Sequence, residues 1–161
     1  MQRIDFANAS PDGFKAMIAL EQYVAACSIE KKLFHLVKLR ASQINGCAFC
    51  IDMHWKDLRV LGESEQRLYG LDAWEESPYY TQRERAAMAW TESVTNLREG
   101  HVPDAVYEHV RKQFSEKELA DLTLIITTIN AWNRLAIAGT SLAAPAPREP
   151  VQKVMPFASD S

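Results

Sequence analysis

The sequence predicts an all-α fold in a single domain. Three observations carry that expectation. Apolar residues recur at i, i+3 and i+4 along most of the chain. Helix-start signals precede those stripes, at Ser10-Pro11, at Thr81 with Glu84, and at Ser115 with Glu118. No stretch shows the alternation of a strand. A chain of 161 residues is long enough for one compact core, and it contains no internal repeat or second compositional unit.

The elements follow in order. Ser10 and Pro11 start a helix that carries Phe14, Met17, Ile18, Leu20, Tyr23 and Val24, and that ends near Ala26. A second is expected from about Ile29 to Asn45-Gly46, a pair suited to a helix C-terminus. Its charges, Lys31, Lys32, Lys38 and Arg40, form no clean face, so this helix should be largely covered. A third helix is expected from about Cys47 to Gly62, and Ser64 caps a short fourth through Tyr69. Asp72 to Tyr80 reads as a loop with aromatic anchors. The Thr81 capping box opens an amphipathic helix with Ala86, Ala87, Trp90, Val94 and Leu97. Asp104 to Phe114 forms another helix, and the Ser115 capping box opens a long one toward Ala136. That last segment is apolar on more than one face, which suits a central helix or a subunit contact. Four of the seven prolines fall between Pro145 and Pro156. The domain is therefore expected over 1–140, with a proline-rich tail over 141–161.

Composition narrows the function. Hydrophobic content is 47%, charged content 24%, net charge −3 and pI about 5.8. This is the profile of a globular protein with no basic stripe, so no nucleic-acid partner is expected. No apolar run reaches membrane-span length, and the first residues lack the apolar core of a signal peptide. No membrane partner and a cytoplasmic address are the expectation.

Chemistry concentrates in Gly46-Cys47-Ala48-Phe49-Cys50-Ile51-Asp52-Met53-His54. On a helix, Cys47, Cys50 and His54 share one face, continued by Leu58 and Leu61. A thiolate is the reactive form of cysteine, and helix N-termini and imidazoles lower its pKa. His54 lies one turn from Cys50, which makes Cys50 the base-activated nucleophile and Cys47 the resolving thiol. A thiolate attacking a peroxide becomes a sulfenic acid, which a neighbouring thiol condenses to a disulfide. Zinc is the competing use of such a pair. A closed site needs four ligands, and only His54 and His35 stand ready to join the cysteines. No metal and no cofactor are expected. Cys27 reads as a small core residue, and His101 and His109 as surface residues. Asp52, Lys56, Asp57 and Arg59 read as the solvated face of the cysteine helix, while Phe49 and Trp55 flank the stripe. Asn130, Trp132, Asn133 and Arg134 read as structural or interface residues, because buried polar groups need partners.

The segment from Leu36 to His54, with its pattern Ser42-x-x-Asn45-Gly46-Cys47-x-x-Cys50-x-x-x-His54, closely resembles the alkyl hydroperoxidase D-like (AhpD-like) group. That group belongs to the carboxymuconolactone decarboxylase superfamily. The stretches Thr81 to Glu92 and Ile129 to Arg134 are also similar to it, and the resemblance spans about Phe14 to Ile137. It implies an orthogonal all-helical bundle, assembled as a trimeric or hexameric homo-oligomer, and peroxidase or disulfide reductase chemistry without haem, flavin or metal. By motif position, it assigns the sulfenic acid to Cys50, the resolving and proton-donating thiol to Cys47, and the proton relay to His54. The family pattern has a glutamate twelve residues before the first cysteine, where this chain has His35. A histidine can pass a proton there but does not supply a carboxylate's charge. The expected function is a thiol peroxidase acting on hydrogen or alkyl hydroperoxides, with an external dithiol or redox protein as reductant. The alternatives are a dithiol-disulfide reductase adapter for another redox protein and a zinc-stabilised or structural oligomer. A lactone decarboxylase rests on the superfamily name alone.

Overall fold

The computed structural model describes residues 2–140, which form eight α-helices and two 3-10 turns with no strand among them. The expected tail over 141–161 lies outside the described residues. The helices are α1 (Phe6–Ala9), α2 (Pro11–Ala26), α3 (Lys31–Asn45), α4 (Ala48–Val60), α5 (Glu65–Tyr69), α6 (Gln82–Thr95), α7 (Asp104–Arg111) and α8 (Glu116–Gly139). No helix among the described residues is long and apolar enough to cross a membrane.

Helix α3 is the hub and packs against α4, α6 and α8. Leu33, Phe34, Leu36, Val37 and Leu39 are all buried, so apolar residues wrap most of its surface. Its charges are accommodated individually. Arg40 donates to Glu92 at 2.8 Å, and the same carboxylate oxygen accepts from Trp74 Nε1 at 2.8 Å. This single contact ties the aromatic anchor of the 72–80 loop to α3 and α6. Helix α8 is central as expected, with Leu122, Ile125, Ile126 and Ile129 fully buried against α3, α6 and α2.

Both expected capping boxes form. Thr81 and Glu84 exchange hydrogen bonds at the start of α6, as do Ser115 and Glu118 at the start of α8. Arg83 bridges Glu30 and Glu118, at 2.9 and 2.7 Å, and pins the starts of α3, α6 and α8 together.

Several boundaries differ from the sequence expectation. Helix α3 begins at Lys31 rather than Ile29, and α4 ends at Val60 with Gly62 in the left-handed region (φ 75°). Helix α7 stops at Arg111, and the 104–114 segment closes with a turn that buries Phe114. The short α1 was not expected, since four residues cannot show periodicity; Asp5 caps it by accepting from Asn8 N–H. The cysteine stripe also ends sooner. Leu58 is buried, but Leu61 is at the C-cap and exposed.

Candidate active site

Local chain chemistry places the two cysteines. Helix α3 ends in Gly46, which adopts φ 68° and ψ 32°, a conformation available to glycine at little cost. Gly46 N–H donates to Gln43 O at 3.2 Å and Cys47 N–H to Ser42 O at 3.0 Å. These two bonds are the Schellman pattern, which satisfies the last carbonyls of α3 and reverses the chain immediately. Cys47 is then the N-cap of α4, and Cys50 lies in its first turn.

A buried polar ladder fixes this turn against α8. Ser42 Oγ donates to Lys38 O at 2.7 Å and accepts from Asn133 Nδ2 at 3.0 Å. Asn45 Nδ2 donates to the side-chain oxygens of Asn133 at 2.9 Å and Asn130 at 3.0 Å. Ser42 and Asn45 of the motif thus hold the cysteine turn in place, and Asn130 and Asn133 are structural, as the sequence suggested. The cysteines sit in a small separate cluster with Ala41 and Ile129.

Cys47 and Cys50 are joined by a disulfide, with their Cα atoms 5.4 Å apart. Both are almost wholly buried, as is His54, which is more burial than a helix N-terminal position suggested. Cys50 and His54 line one cavity of about 490 Å³ between α2, α4, α8 and the N-terminal segment. Its walls are mostly apolar, including Phe14, Phe49, Met53 and Trp132. Phe49 is therefore at the cavity, whereas Trp55 packs on the main core and stacks on Tyr69.

His35 and His54 meet across the α3–α4 contact. Their Nδ1 atoms are 3.2 Å apart, a hydrogen bond in which one ring donates and the other accepts. Asp57 Oδ2 lies 3.5 Å from His35 Nδ1 and 3.6 Å from His54 Nδ1. Asp57 therefore belongs to the site and is not simply part of a solvated face. The signal was present in the sequence, since Asp57 is three residues after His54 and so on the same side of α4. Burial pushes the His54 pKa down to about 3, and Lys38 and His35 add to the effect. The ring is neutral at ordinary pH, and its Nε2 is buried without a hydrogen-bond partner among the described residues. Burial also lowers the His35 pKa, with Asp57 opposing.

A second pair escaped the sequence reading. Lys38 is fully buried in the cavity wall and pairs with Glu21 of α2. Its ammonium lies 4.3 Å from the Phe34 ring centroid, and Glu21 Oε2 accepts from Trp132 Nε1 at 3.0 Å. Burial lowers the Lys38 pKa, and the hydrogen bond that its ammonium donates to Glu21 opposes that shift. Lys38 stands three residues after His35, so helical phase could have placed it beside the site. Glu21 is remote in sequence and offered no such clue.

A buried cysteine pair joined as a disulfide, a histidine in phase with it and an apolar cavity beside them sit on an all-helical frame. The chain belongs to the carboxymuconolactone decarboxylase family, whose sequence pattern matches residues 11–93, and within it to the AhpD-like group. It is 45% identical over 143 residues to the uncharacterized protein YdfG of Bacillus subtilis, covering 89% of this chain and 97% of that one. A solved structure from Agrobacterium tumefaciens, described as a protein of unknown function and a candidate antioxidant defence protein AhpD, shares 46% identity and a TM-score of 0.86. The match covers 89% of this chain and 99% of that chain. The debrominase Bmp8 superposes with a TM-score of 0.77 at 21% identity, over 88% of this chain and 76% of that chain, which shows the shared fold alone.

Proposed function

We propose that the protein is a cofactor-free thiol peroxidase that reduces hydrogen or alkyl hydroperoxides through a Cys47–Cys50 dithiol/disulfide cycle. The observation that carries this reading is that Cys50 and His54 open onto the same apolar cavity, with the resolving partner Cys47 already bonded to Cys50. The AhpD-type description of the Agrobacterium relative supports the same class of chemistry.

In the reduced protein, His54 Nε2 accepts the proton of the Cys50 thiol. The thiolate attacks the terminal peroxide oxygen, forming an S–O bond as the O–O bond breaks. The departing alkoxide takes the proton from His54 and leaves as an alcohol, and Cys50 becomes a sulfenic acid. The Cys47 thiol then attacks the Cys50 sulfur, which closes the disulfide and releases water. An external dithiol or a redox protein restores both thiols by exchange. Neutral His54 is the state this sequence needs at its first step, and His35 and Asp57 hold the ring in place. The mostly apolar cavity suits an organic hydroperoxide. Assembly into a homo-oligomer and a cytoplasmic address belong to the same reading.

The test is peroxide consumption with a dithiol donor, for wild type and Cys50→Ser. Wild type is expected to turn over and the variant to fall to the uncatalysed rate. Undiminished turnover in Cys50→Ser overturns the assignment. Reduction of a protein disulfide without direct peroxide consumption points to a reductase adapter instead.

A further inference from the structure

We propose that His35, His54 and Asp57 form a binding site for one divalent transition-metal ion of the zinc class. The three donor atoms, His35 Nδ1, His54 Nδ1 and Asp57 Oδ2, make a triangle with edges of 3.2, 3.5 and 3.6 Å. A tetrahedral ion bound at about 2.0–2.1 Å separates its ligands by about 3.3–3.4 Å. The observed edges bracket that spacing. Hydrogen bonding explains only one edge, the short contact between the two rings. Asp57 Oδ2 lies almost equally far from both nitrogens, at the outer limit of bonding to either, which is the position of a third ligand rather than of a partner to one ring.

The donor chemistry selects the ion. Two imidazoles and one carboxylate suit a first-row ion such as zinc, iron(II), cobalt or nickel and are poor ligands for magnesium or calcium. Imidazole binds metal through a ring nitrogen that carries no proton, so binding displaces the proton shared between the two Nδ1 atoms. Three protein ligands leave a fourth position open, as in zinc sites that are not closed structural ones. Access is from the Asp57 side, whose side chain is 43% exposed while that of His54 is 4% exposed. The charged groups acting on the rings are Asp57 and Glu21, which favour a cation, and Lys38 and Lys31, which oppose it. Lys38 is offset by its ion pair with Glu21.

The site takes no ligand from the cysteines, so it persists when they are oxidised. Its consequence for activity rests on the peroxidase reading above. A bound ion holds His54 Nδ1 and breaks the contact with His35, so the histidine no longer exchanges protons freely and the thiol cycle slows.

The binding test uses the full chain in its disulfide form, in which Cys47 and Cys50 offer no thiolate. Cobalt(II) chloride is titrated in, followed by visible absorption, then zinc chloride is added in competition. One cobalt per chain is expected, with the intense bands of a four- or five-coordinate ion, bleached by one equivalent of zinc. His35→Gln and Asp57→Asn are each expected to weaken binding by more than the roughly 10- to 100-fold typical of removing a group that only supports a ligand. Asp57 is half-exposed, so its variant tests the site even if His35→Gln fails to fold. No cobalt bands in the oxidised protein overturns the proposal, and so does binding that appears only on reduction and vanishes in the Cys47→Ser, Cys50→Ser double variant. Because this measurement needs no turnover, its failure is separate from failure of the peroxidase reading.

Discussion

His35 Nδ1 lies 3.2 Å from His54 Nδ1, so the two histidines form one hydrogen-bonded unit across the contact between α3 and α4. His35 occupies the position at which the family pattern has a glutamate. The carboxylate is not lost from the neighbourhood, because Asp57 approaches both rings from α4. It is more exposed than a residue at position 35, where the side chain is only 19% exposed, and it is correspondingly more screened.

A first prediction concerns this exchange. His35→Glu places a carboxylate against His54, which raises the His54 pKa from about 3 and makes the ring a stronger base. Peroxide reduction is expected to rise severalfold, whereas His35→Ala is expected to lose about tenfold or more, within the range of general acid–base contributions. Steady-state kcat/KM with a dithiol donor, alongside an NMR titration of His54, checks both. A His35→Ala variant with wild-type turnover removes His35 from the relay.

The proposed cycle gives the two cysteines different tasks, and one variant separates them. In Cys47→Ser, Cys50 can still be oxidised but cannot be resolved. Treatment with one equivalent of peroxide is expected to leave a sulfenic acid on Cys50, detected by mass spectrometry after trapping with a cyclic dione. In Cys50→Ser no adduct is expected at Cys47. An adduct at Cys47 and none at Cys50 reverses the assignment.

Much of this arrangement is legible in the sequence, and the parts that are not share a cause. The capping boxes, the Gly46 stop and the Cys47, Cys50, His54 stripe are all local. Each depends on residues within about two helical turns, so spacing alone specifies them. Asp57 is within reach of the same reasoning through His54, but a charged residue on an amphipathic helix is usually solvated, and its second partner, His35, arrives from α3. Lys38 read correctly as lying on a covered helix, but its covering carboxylate, Glu21, comes from α2. The cavity is likewise a property of α2, α4 and α8 together. Contacts between elements have no spacing rule, and the sequence is silent on them.

The depressed His54 pKa has a consequence for stability in acid. The folded pKa of about 3 lies below the ordinary histidine value near 6.5. Between those values the unfolded chain binds a proton that the folded chain refuses, so stability is complete above pH 6.5 and falls as pH drops toward 3. The loss attributable to His54 is at most roughly 5 kcal/mol over that window. In metal-free protein, urea unfolding from pH 7.5 to 4 is expected to show falling stability, with a shallower slope in His54→Gln. Equal slopes for the two proteins exclude His54 as the source.

The Lys38–Glu21 pair predicts an asymmetry between its two halves. The Lys38 side chain is 2% exposed and that of Glu21 is 29% exposed. Removing one partner of a buried pair is costly when the charge left behind is itself desolvated. Glu21→Gln leaves a buried ammonium without its adjacent counter-charge, facing a neutral amide and the Phe34 ring at 4.3 Å. That variant is expected to lose about 3 kcal/mol or to release the strain by deprotonating Lys38, in which case its stability rises with pH. Lys38→Met instead removes the desolvated charge, keeps the packing of the stem, and leaves Glu21 partly solvated and still accepting from Trp132. Its cost is expected to be under about 1.5 kcal/mol. Urea unfolding of both variants at neutral pH checks the difference. Equal destabilisation by the two contradicts the assignment of the desolvation cost to Lys38, because a symmetric pair would lose the same interaction from either side.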